Sequence, residues 1–105
     1  MKCEQLTQPE SLTVRPGQPL TIRCQVSYSV SSYWTAWIRQ PDGNSLEWIG
    51  FIYTGDKKVK DSLSSKFILA VDGSSKTVTL QGQNMQPGDS AVYYCARESQ
   101  CYKLL

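Results

Sequence analysis

Four cysteines have the most chemical potential in this chain: Cys3, Cys24, Cys95 and Cys101, in 105 residues that include no histidine. A thiolate acts as a nucleophile or a metal ligand when a base, a cation or further ligands stand beside it. Without histidine, a Ser-His-Asp triad, a Cys-His nucleophile and a Cys/His zinc site are excluded. Cys3 and Cys101 also lack the spacing of metal ligands, so the sequence predicts no metal site.

The carboxylates and glycines add no catalytic pattern. Asp56 with Asp61, and Glu47 with Asp89, are interpreted as solvated or structural charges. The sequence contains no Gly-x-Gly-x-x-Gly motif and no other loop that would cradle a phosphate. It therefore predicts a protein that is not an enzyme and that uses no cofactor.

Length and charge narrow the class of protein further. A chain of this length fits one domain with a single core. Its formal net charge of +2 is too small to favour nucleic acid or an anionic membrane surface as a partner. The sequence has no run of about 18 apolar residues, which argues against direct insertion into a membrane.

The apolar residues recur at the period of β-strands. In segment 20–26 four apolar residues alternate with polar ones, which is typical of a strand with one buried face. Segment 46–53 is almost continuously apolar, so its second face also needs a cover. Strands are predicted at 20–26, 35–40, 46–53, 66–72, 76–80 and 91–97. Turns are predicted at 16–17, 41–44, 54–56 and 72–75, with a crossover at 84–89 that Met85 plugs.

One run near the end of the sequence carries the most specific signal. It reads Asp89-Ser-Ala-Val-Tyr-Tyr-Cys95 and places Tyr93 two residues before a cysteine. Cys24 lies 71 positions before Cys95, and Trp37 lies between them. This order and spacing of cysteine, tryptophan, tyrosine and cysteine is typical of an immunoglobulin sandwich.

Three further motifs point to one branch of that family. Trp37-Ile-Arg-Gln-Pro41, Leu46-Glu-Trp-Ile-Gly50 and Ala96-Arg97 resemble an antibody heavy-chain variable domain. Light chains and T-cell-receptor chains share the cysteines, the tryptophan and the tyrosine, so the second and third motifs are what favour the heavy chain. The resemblance implies an all-β fold: an immunoglobulin variable-type Greek-key sandwich of two antiparallel sheets.

The resemblance assigns roles to the central residues. It implies a disulfide between Cys24 and Cys95 and a core position for Trp37. It also implies that the Tyr93 hydroxyl bonds the backbone of the crossover. A structural disulfide implies an oxidising compartment, so the protein is expected outside the cell, secreted or on the cell surface as part of a larger immunoglobulin.

Lys66 and Asp89 match the family's charge pair at the base of the sandwich. Arginine usually holds the first of these positions. Because lysine lacks the planar guanidinium fork, we expect a looser pair here. If the pair is exposed to solvent, it should contribute at most about 1 kcal/mol to stability.

Five residues match the positions at which a heavy-chain variable domain meets its light chain. They are Ile38, Gln40, Leu46, Trp48 and Tyr94. Leu46 and Trp48 lie on a strand whose inner side is already buried, so they should leave an exposed apolar patch, and such patches usually mark interfaces. The alternative is that Trp48 packs only beneath the third loop of its own domain.

The resemblance also implies antigen-binding loops at 28–34 and 53–58. Tyrosine and serine suit binding, because the rings are rigid and amphipathic while the hydroxyls adapt. Tyr33 and Tyr53 are expected to contact antigen, whereas Tyr28 and Trp34 could equally pack inward as loop roots. The predicted antigen-binding residues are Tyr28, Ser29, Ser31, Ser32, Tyr33, Trp34, Tyr53, Thr54, Asp56, Lys57 and Glu98.

The ends of the sequence are interpreted separately from an immunoglobulin domain at 4–98. Residues 1–3 are interpreted as a leader remnant, and no signal peptide is recognisable. Residues 99–105 are a truncated third loop or a read-through tail: TCA-CAG-TGC would encode Ser99-Gln100-Cys101 and contains CACAGTG, the heptamer of a recombination signal. Cys3 and Cys101 are expected to be free thiols, with a disulfide between them as the alternative.

The last strand of a complete variable domain, with its Trp/Phe-Gly-x-Gly bulge, is missing from the sequence. The strand that carries Cys95 would then be a sheet edge with unpaired backbone groups. Such an edge should lower stability and favour self-association.

Two functions are compatible with the sequence. The first is antigen recognition by a heavy-chain variable domain paired with a light-chain variable domain. The alternative is a V-set domain of a cell-surface immune receptor or adhesion protein, which a following membrane span or stalk would distinguish.

Overall fold

A computed structural model describes residues 7–12, 17–41 and 45–97, which form two packed β-sheets. The strands are β1 (Thr7–Leu12), β2 (Leu20–Gln25), β3 (Thr35–Pro41), β4 (Glu47–Tyr53), β5 (Asp56–Val59), β6 (Phe67–Asp72), β7 (Thr77–Gly82) and β8 (Ala91–Arg97). Two 3₁₀ turns, Asp61–Leu63 and Pro87–Asp89, lie in the connections. The strand orders are β1-β8-β3-β4-β5 and β2-β7-β6, with every described pair antiparallel. The predicted all-β sandwich of two antiparallel sheets is confirmed.

The described segments contain no helix that is long and apolar enough to cross a membrane. The predicted turn at 41–44 and the first residue of the predicted turn at 16–17 lie largely outside these segments. So do residues 1–3 and 98–105, with Cys3, Cys101 and Glu98.

Strands β1 and β5 carry no signal that sequence reasoning recognised. β5 begins with three exposed charged residues in series, so no alternation of apolar and polar side chains marks it. It forms because its backbone pairs with β4 over four residues. The predicted second loop at 53–58 takes the form of a tight hairpin whose turn is Thr54-Gly55, within the predicted turn at 54–56.

A disulfide between Cys24 and Cys95 joins the two sheets by linking β2 to β8, with the Cα atoms 6.6 Å apart. Both residues and Trp37 are fully buried, and Trp37 lies directly opposite Cys95 in the β3–β8 ladder. The indole and the disulfide thus occupy the same layer of the core. In the chain-entropy model, a bridge between residues so far apart in sequence stabilises the fold by about 4 kcal/mol.

Tyr93 fixes the crossover between β7 and β8. Its buried hydroxyl donates a hydrogen bond to the Asp89 carbonyl at 2.6 Å. The Asp89 side chain accepts a bond from the Gln86 amide at 2.8 Å and so closes the 3₁₀ turn on itself. Met85 is completely buried, and its carbonyl accepts a bond from the Gly17 amide at 2.9 Å. The crossover is therefore held to the core at both of its ends.

A network of charges closes the base of the sandwich. Lys66 Nζ lies 2.8 Å from Asp89 Oδ2, so the predicted pair is present and the contact is not long. Arg39 takes the other oxygen of Asp89 at 3.0 Å and also binds Glu47 at 2.7 Å. Its guanidinium lies 5.4 Å from the centre of the Phe67 ring. Sequence reasoning missed Arg39, because an arginine in a strand gives no sign of pointing into the core.

The network shifts the pKa of each of its perturbed members in the direction that favours the charged form. Burial by itself raises the pKa of the Asp89 carboxyl, but hydrogen bonds from Lys66, Gln86 and Arg39 outweigh it, and the pKa is lowered. Burial likewise opposes ionisation of Glu47, yet its hydrogen bond from Arg39 lowers the pKa. The pKa of Arg39 is raised although burial acts against this, because its bonds to these groups favour the charged form. The folded state therefore favours the ionised carboxylates.

The expectation that β8 would be a sheet edge is wrong. β1 pairs with β8 from Thr7↔Cys95 to Leu12↔Ala91, so β8 lies between β1 and β3. The backbone groups of β8 find partners in a strand from the other end of the chain. β1 is itself an edge, and Pro9 lies where its register shifts, a place that tolerates a missing N–H. The predicted cause of self-association is thereby removed.

Removing β1 should expose the edge of β8 and so favour self-association. We expect a protein that lacks residues 1–12 to form oligomers whose size rises with concentration, because the backbone edge of β8 becomes free to pair between molecules. Sedimentation velocity over a range of concentrations would measure this. A protein that lacks only residues 1–6 retains β1 and serves as the control; equal self-association of the two would contradict the role given to β1.

The contribution of the charge network to stability should depend on pH, and substitution of Asp89 should reveal this dependence. We expect Asp89→Asn to lower the free energy of unfolding by about 3 kcal/mol at pH 7, because it leaves buried cations without their carboxylate. Since the folded pKa lies below the unfolded value of about 4, this contribution is complete near neutral pH and is lost as the pH falls below about 4. Urea unfolding across this range would measure the difference between the two proteins.

Asp61→Asn is the matched control, because Asp61 is an exposed carboxylate at the start of a 3₁₀ turn. It should change the free energy of unfolding by less than about 0.5 kcal/mol. A difference between wild type and Asp89→Asn that stays constant from pH 7 to pH 3 would contradict the network.

Candidate functional site

The connection between β2 and β3, residues 26–34, contains the predicted first loop at 28–34 and meets the β4–β5 hairpin at one end of the sandwich. Val30 is buried, and its carbonyl accepts a hydrogen bond from the Thr54 amide at 3.1 Å. Within the first loop, the amides of Ser32 and Tyr33 both bond the Ser29 carbonyl at 3.2 Å. The predicted first and second loops therefore form one connected surface.

Tyrosine rings and an arginine line one side of this surface. The Tyr28 ring is half-buried against the core, and its hydroxyl lies 2.7 Å from Thr35 Oγ1. Tyr33 stands edge-on to Tyr28, with the ring centres 6.1 Å apart, and is 44% exposed. Arg97, the last residue of β8, places its guanidinium 4.5 Å from the centre of the Tyr33 ring. This arrangement positions Tyr33 through two contacts while much of the residue stays exposed.

Trp34 and Tyr53 form the second aromatic pair. Their ring centres lie 4.4 Å apart, and both residues are half-buried. Gly55 makes room for this pair, because a Cβ atom there would lie 2.7 Å from atoms of the Tyr53 ring. Tyr28 and Trp34 are each half-buried, so part of each residue packs against the domain and part is exposed.

Polar groups complete the loop surface. Ser29, Ser31, Ser32 and Thr54 are exposed, as are Asp56 and Lys57 at the start of β5. The hydroxyls of Ser29 and Ser31 lie 2.8 Å apart. Lys57 Nζ donates to the Leu69 carbonyl at 3.3 Å, so its ammonium group turns towards β6.

The predicted pairing residues come together on the outer face of the five-stranded sheet. In the strand register, Ile38 lies opposite Trp48 on one side and opposite Tyr94 on the other. The Tyr94 hydroxyl lies 3.5 Å from the Gln40 side-chain oxygen. Gln40, Trp48, Tyr94 and the nearby Leu46 are half-buried.

Ile38 differs from the other four predicted pairing residues. It has no exposed surface. It lies between Trp48 and Tyr94 and supports them from within the sheet, so direct contact between Ile38 and a partner would need its neighbours to move.

A groove with a volume of about 710 Å³ runs beside Trp48. Its apolar part is formed by Leu46, Trp48 and Phe51, and the rings of the last two stack at 5.4 Å with an angle of 23°. Lys58 and Lys60 line the same groove. Its volume is in the range of sites that hold a ligand or a side chain of a partner.

Sequence reasoning missed Phe51 as part of this surface. Simple alternation would place residues 48 and 51 on opposite faces of a strand. The β3–β4 pairing shifts by one residue between them, which brings both rings to the same face. No feature of the sequence marks that shift.

The described residues contain no group of three or more acidic or cysteine side chains that could hold a metal ion. The accessible surfaces consist of rings, hydroxyls, amides and a few charges. Such groups make non-covalent contacts, in which rings supply area and hydroxyls and charges supply direction.

Comparison with known proteins agrees with this architecture. A family model described as the immunoglobulin V-set domain matches residues 7–103. The Ig heavy chain V region XIG14 of Xenopus laevis is 47% identical over 88 residues, which cover 82% of this chain but only 65% of that protein. The Ig heavy chain V region MPC 11 of Mus musculus is 40% identical over 96 residues, which cover 89% of this chain and 79% of that protein. The chain therefore belongs to the immunoglobulin V-set family and, within it, to the group of Ig heavy chain V regions.

Proposed function

We propose that this protein recognises antigen as the heavy-chain variable domain of an immunoglobulin and that it pairs with a light-chain variable domain. The observation that carries the proposal is the groove over Trp48 and Phe51. It leaves two stacked aromatic rings partly open on a sheet face that its own described chain does not cover completely. Aromatic side chains are enriched at protein interfaces, where large apolar surfaces are buried on association.

The position of the groove favours a partner domain as its occupant. Its strand β4 also carries Tyr53, which contributes to the loop surface. A domain docked against Trp48 would therefore bring its own loops beside those of this chain. The combined surface would be larger than either set of loops, which is how paired variable domains build a binding site.

The loop surface suits antigen contact. Tyr33 offers an exposed ring that Arg97 and Tyr28 hold in position, so little conformational freedom remains to be lost on binding. Exposed serines beside it can adapt their hydrogen bonds to different partners. The mechanism is non-covalent complementarity, and these residues suggest no particular antigen.

We also place the protein outside the cell, secreted or at the cell surface. A disulfide at the centre of the core needs an oxidising compartment to form and persist.

Trp48 provides the direct test of pairing. We expect Trp48→Ala to weaken association with a light-chain variable domain by roughly 30-fold, because a buried aromatic anchor typically contributes about 2 kcal/mol or more. Surface plasmon resonance with a panel of light-chain variable domains, with wild type measured first, would give the change in Kd.

Ile68→Ala is the matched control, because Ile68 is a large apolar residue that is 44% exposed on β6 of the opposite sheet. It should leave the Kd unchanged. If Trp48→Ala behaves like this control, the assigned pairing face is wrong. If wild type binds no light chain but binds a second copy of itself, the receptor or adhesion function is favoured instead.

Tyr33 provides the test of antigen contact. We expect Tyr33→Ala to weaken binding by roughly tenfold for antigens selected from a library with the paired domains. Gln81→Ala, an exposed change on β7 of the other sheet, should leave that binding unchanged. Equal affinities of the two variants for every selected antigen would contradict the loop assignment.

A further inference from the structure

Strand β4 shifts its register against β3 in the middle of the groove face. Trp37 lies opposite Gly50, but the next residue, Ile38, lies opposite Trp48. Ile49 is therefore an extra residue on β4, as in a β-bulge. Side chains alternate along a strand, so the position of this extra residue decides which residues of β4 face outward.

The short end of β4 carries Trp48 and pairs with β3. Among the described residues, two pairs join β4 to β3 on this side of the shift, Ile38↔Trp48 and Arg39↔Glu47. In the pairing of β4 with β5 the first residue pair is Gly50↔Val59, and beside it the Ile49 carbonyl accepts a hydrogen bond from the Lys60 amide at 2.9 Å. Without the extra residue, the register of Trp37↔Gly50 would continue, so that Ile49 would lie opposite Ile38 and Trp48 opposite Arg39. The indole would then turn towards the core, and Glu47 would no longer lie opposite Arg39.

Glu47 makes the charged side-chain contacts at this short end of β4. Its carboxylate accepts a hydrogen bond from Arg39 Nε at 2.7 Å, and its other oxygen lies 3.5 Å from Lys60 Nζ. Arg39 is itself anchored, because it is 8% exposed and also bound to Asp89 at 3.0 Å. The bond between Arg39 and Glu47 joins two ionised groups, which makes it stronger than a neutral hydrogen bond.

We propose that Glu47 is a positioning residue for the groove face: its bond to Arg39 holds β4 in the register that keeps the Trp48 ring outside, stacked on Phe51. The proposal concerns the free domain. Only its consequence for light-chain pairing rests on the proposed function.

The ring contact between Trp48 and Phe51 is the primary measurement. We expect Glu47→Ala to abolish the NMR cross-peaks between these two rings, which lie 5.4 Å apart in the wild type. Hydrogen exchange at the Trp48 amide should accelerate by at least about tenfold. Glu47→Gln keeps an oxygen that can accept from Arg39 but loses the charge, so it should retain the cross-peaks at reduced intensity.

Lys66→Ala is the matched control. It removes a cation from the same network without touching β4, since Lys66 binds Asp89 at 2.8 Å. It should lower the free energy of unfolding while leaving the ring cross-peaks and the Trp48 exchange rate unchanged. A purely structural role for Glu47 would make both variants behave alike, and this result would overturn the proposal.

Light-chain binding separates this proposal from the proposed function. If Glu47→Ala loses the ring contact and wild type binds no light chain, the positioning role stands and the pairing function falls. If wild type binds a light chain and Glu47→Ala keeps both the cross-peaks and the affinity, the positioning role falls. Should Glu47→Ala fail to fold, unchanged cross-peaks and exchange in Glu47→Gln would overturn it.

Discussion

The link between Cys24 and Cys95, packed in the same core layer as Trp37, is the constraint on which the rest of the structure depends. It joins the two sheets through β8, which also pairs with β1 and β3. With that distance set, the inward side chains of both sheets can fill one continuous core. The outward side chains of the five-stranded sheet are then free to form a separate surface, and the loops at its end are held in fixed positions relative to that surface.

The two ends of the sandwich are stabilised by different interactions. At the base, the buried carboxylate of Asp89 binds two cationic side chains and accepts a hydrogen bond from a backbone amide. These charged and directional contacts join the two sheets at this end. At the opposite end, aromatic rings pack on one another in two pairs, and Tyr33 stays 44% exposed. A buried charge network disfavours other packing arrangements, because leaving one of its charges unpaired costs free energy. Ring contacts tolerate a change of partner more easily. The base is thus closed by charged partners, whereas the loop end is held by ring contacts beside exposed hydroxyls.

The sheet edges are protected in different ways. β8 is covered by β1, whose Pro9 lies at a register shift. β5 forms the other edge of the same sheet and carries Lys57 and Lys58. Lysine and proline on edge strands hinder pairing between molecules, because one brings charge and the other lacks an N–H donor. Pairing through the groove face is thus compatible with resistance to unspecific edge contacts.

The sequence by itself indicated the sandwich, the bridged cysteines, the core positions of Trp37 and Tyr93, and the family. Alternation of residue types marks strands with one buried face, the spacing of cysteine, tryptophan and tyrosine is typical of the sandwich, and short motifs resemble heavy-chain variable domains. Only the tertiary structure decided three other features. β1 took the free edge of β8, since strand pairing depends on backbone groups that every residue carries. Arg39 joined Lys66 on Asp89, since burial of a charge depends on partners distant in the sequence. Trp48 and Phe51 came to the same face, since a register shift is set by competition between pairings and leaves no mark on residue type.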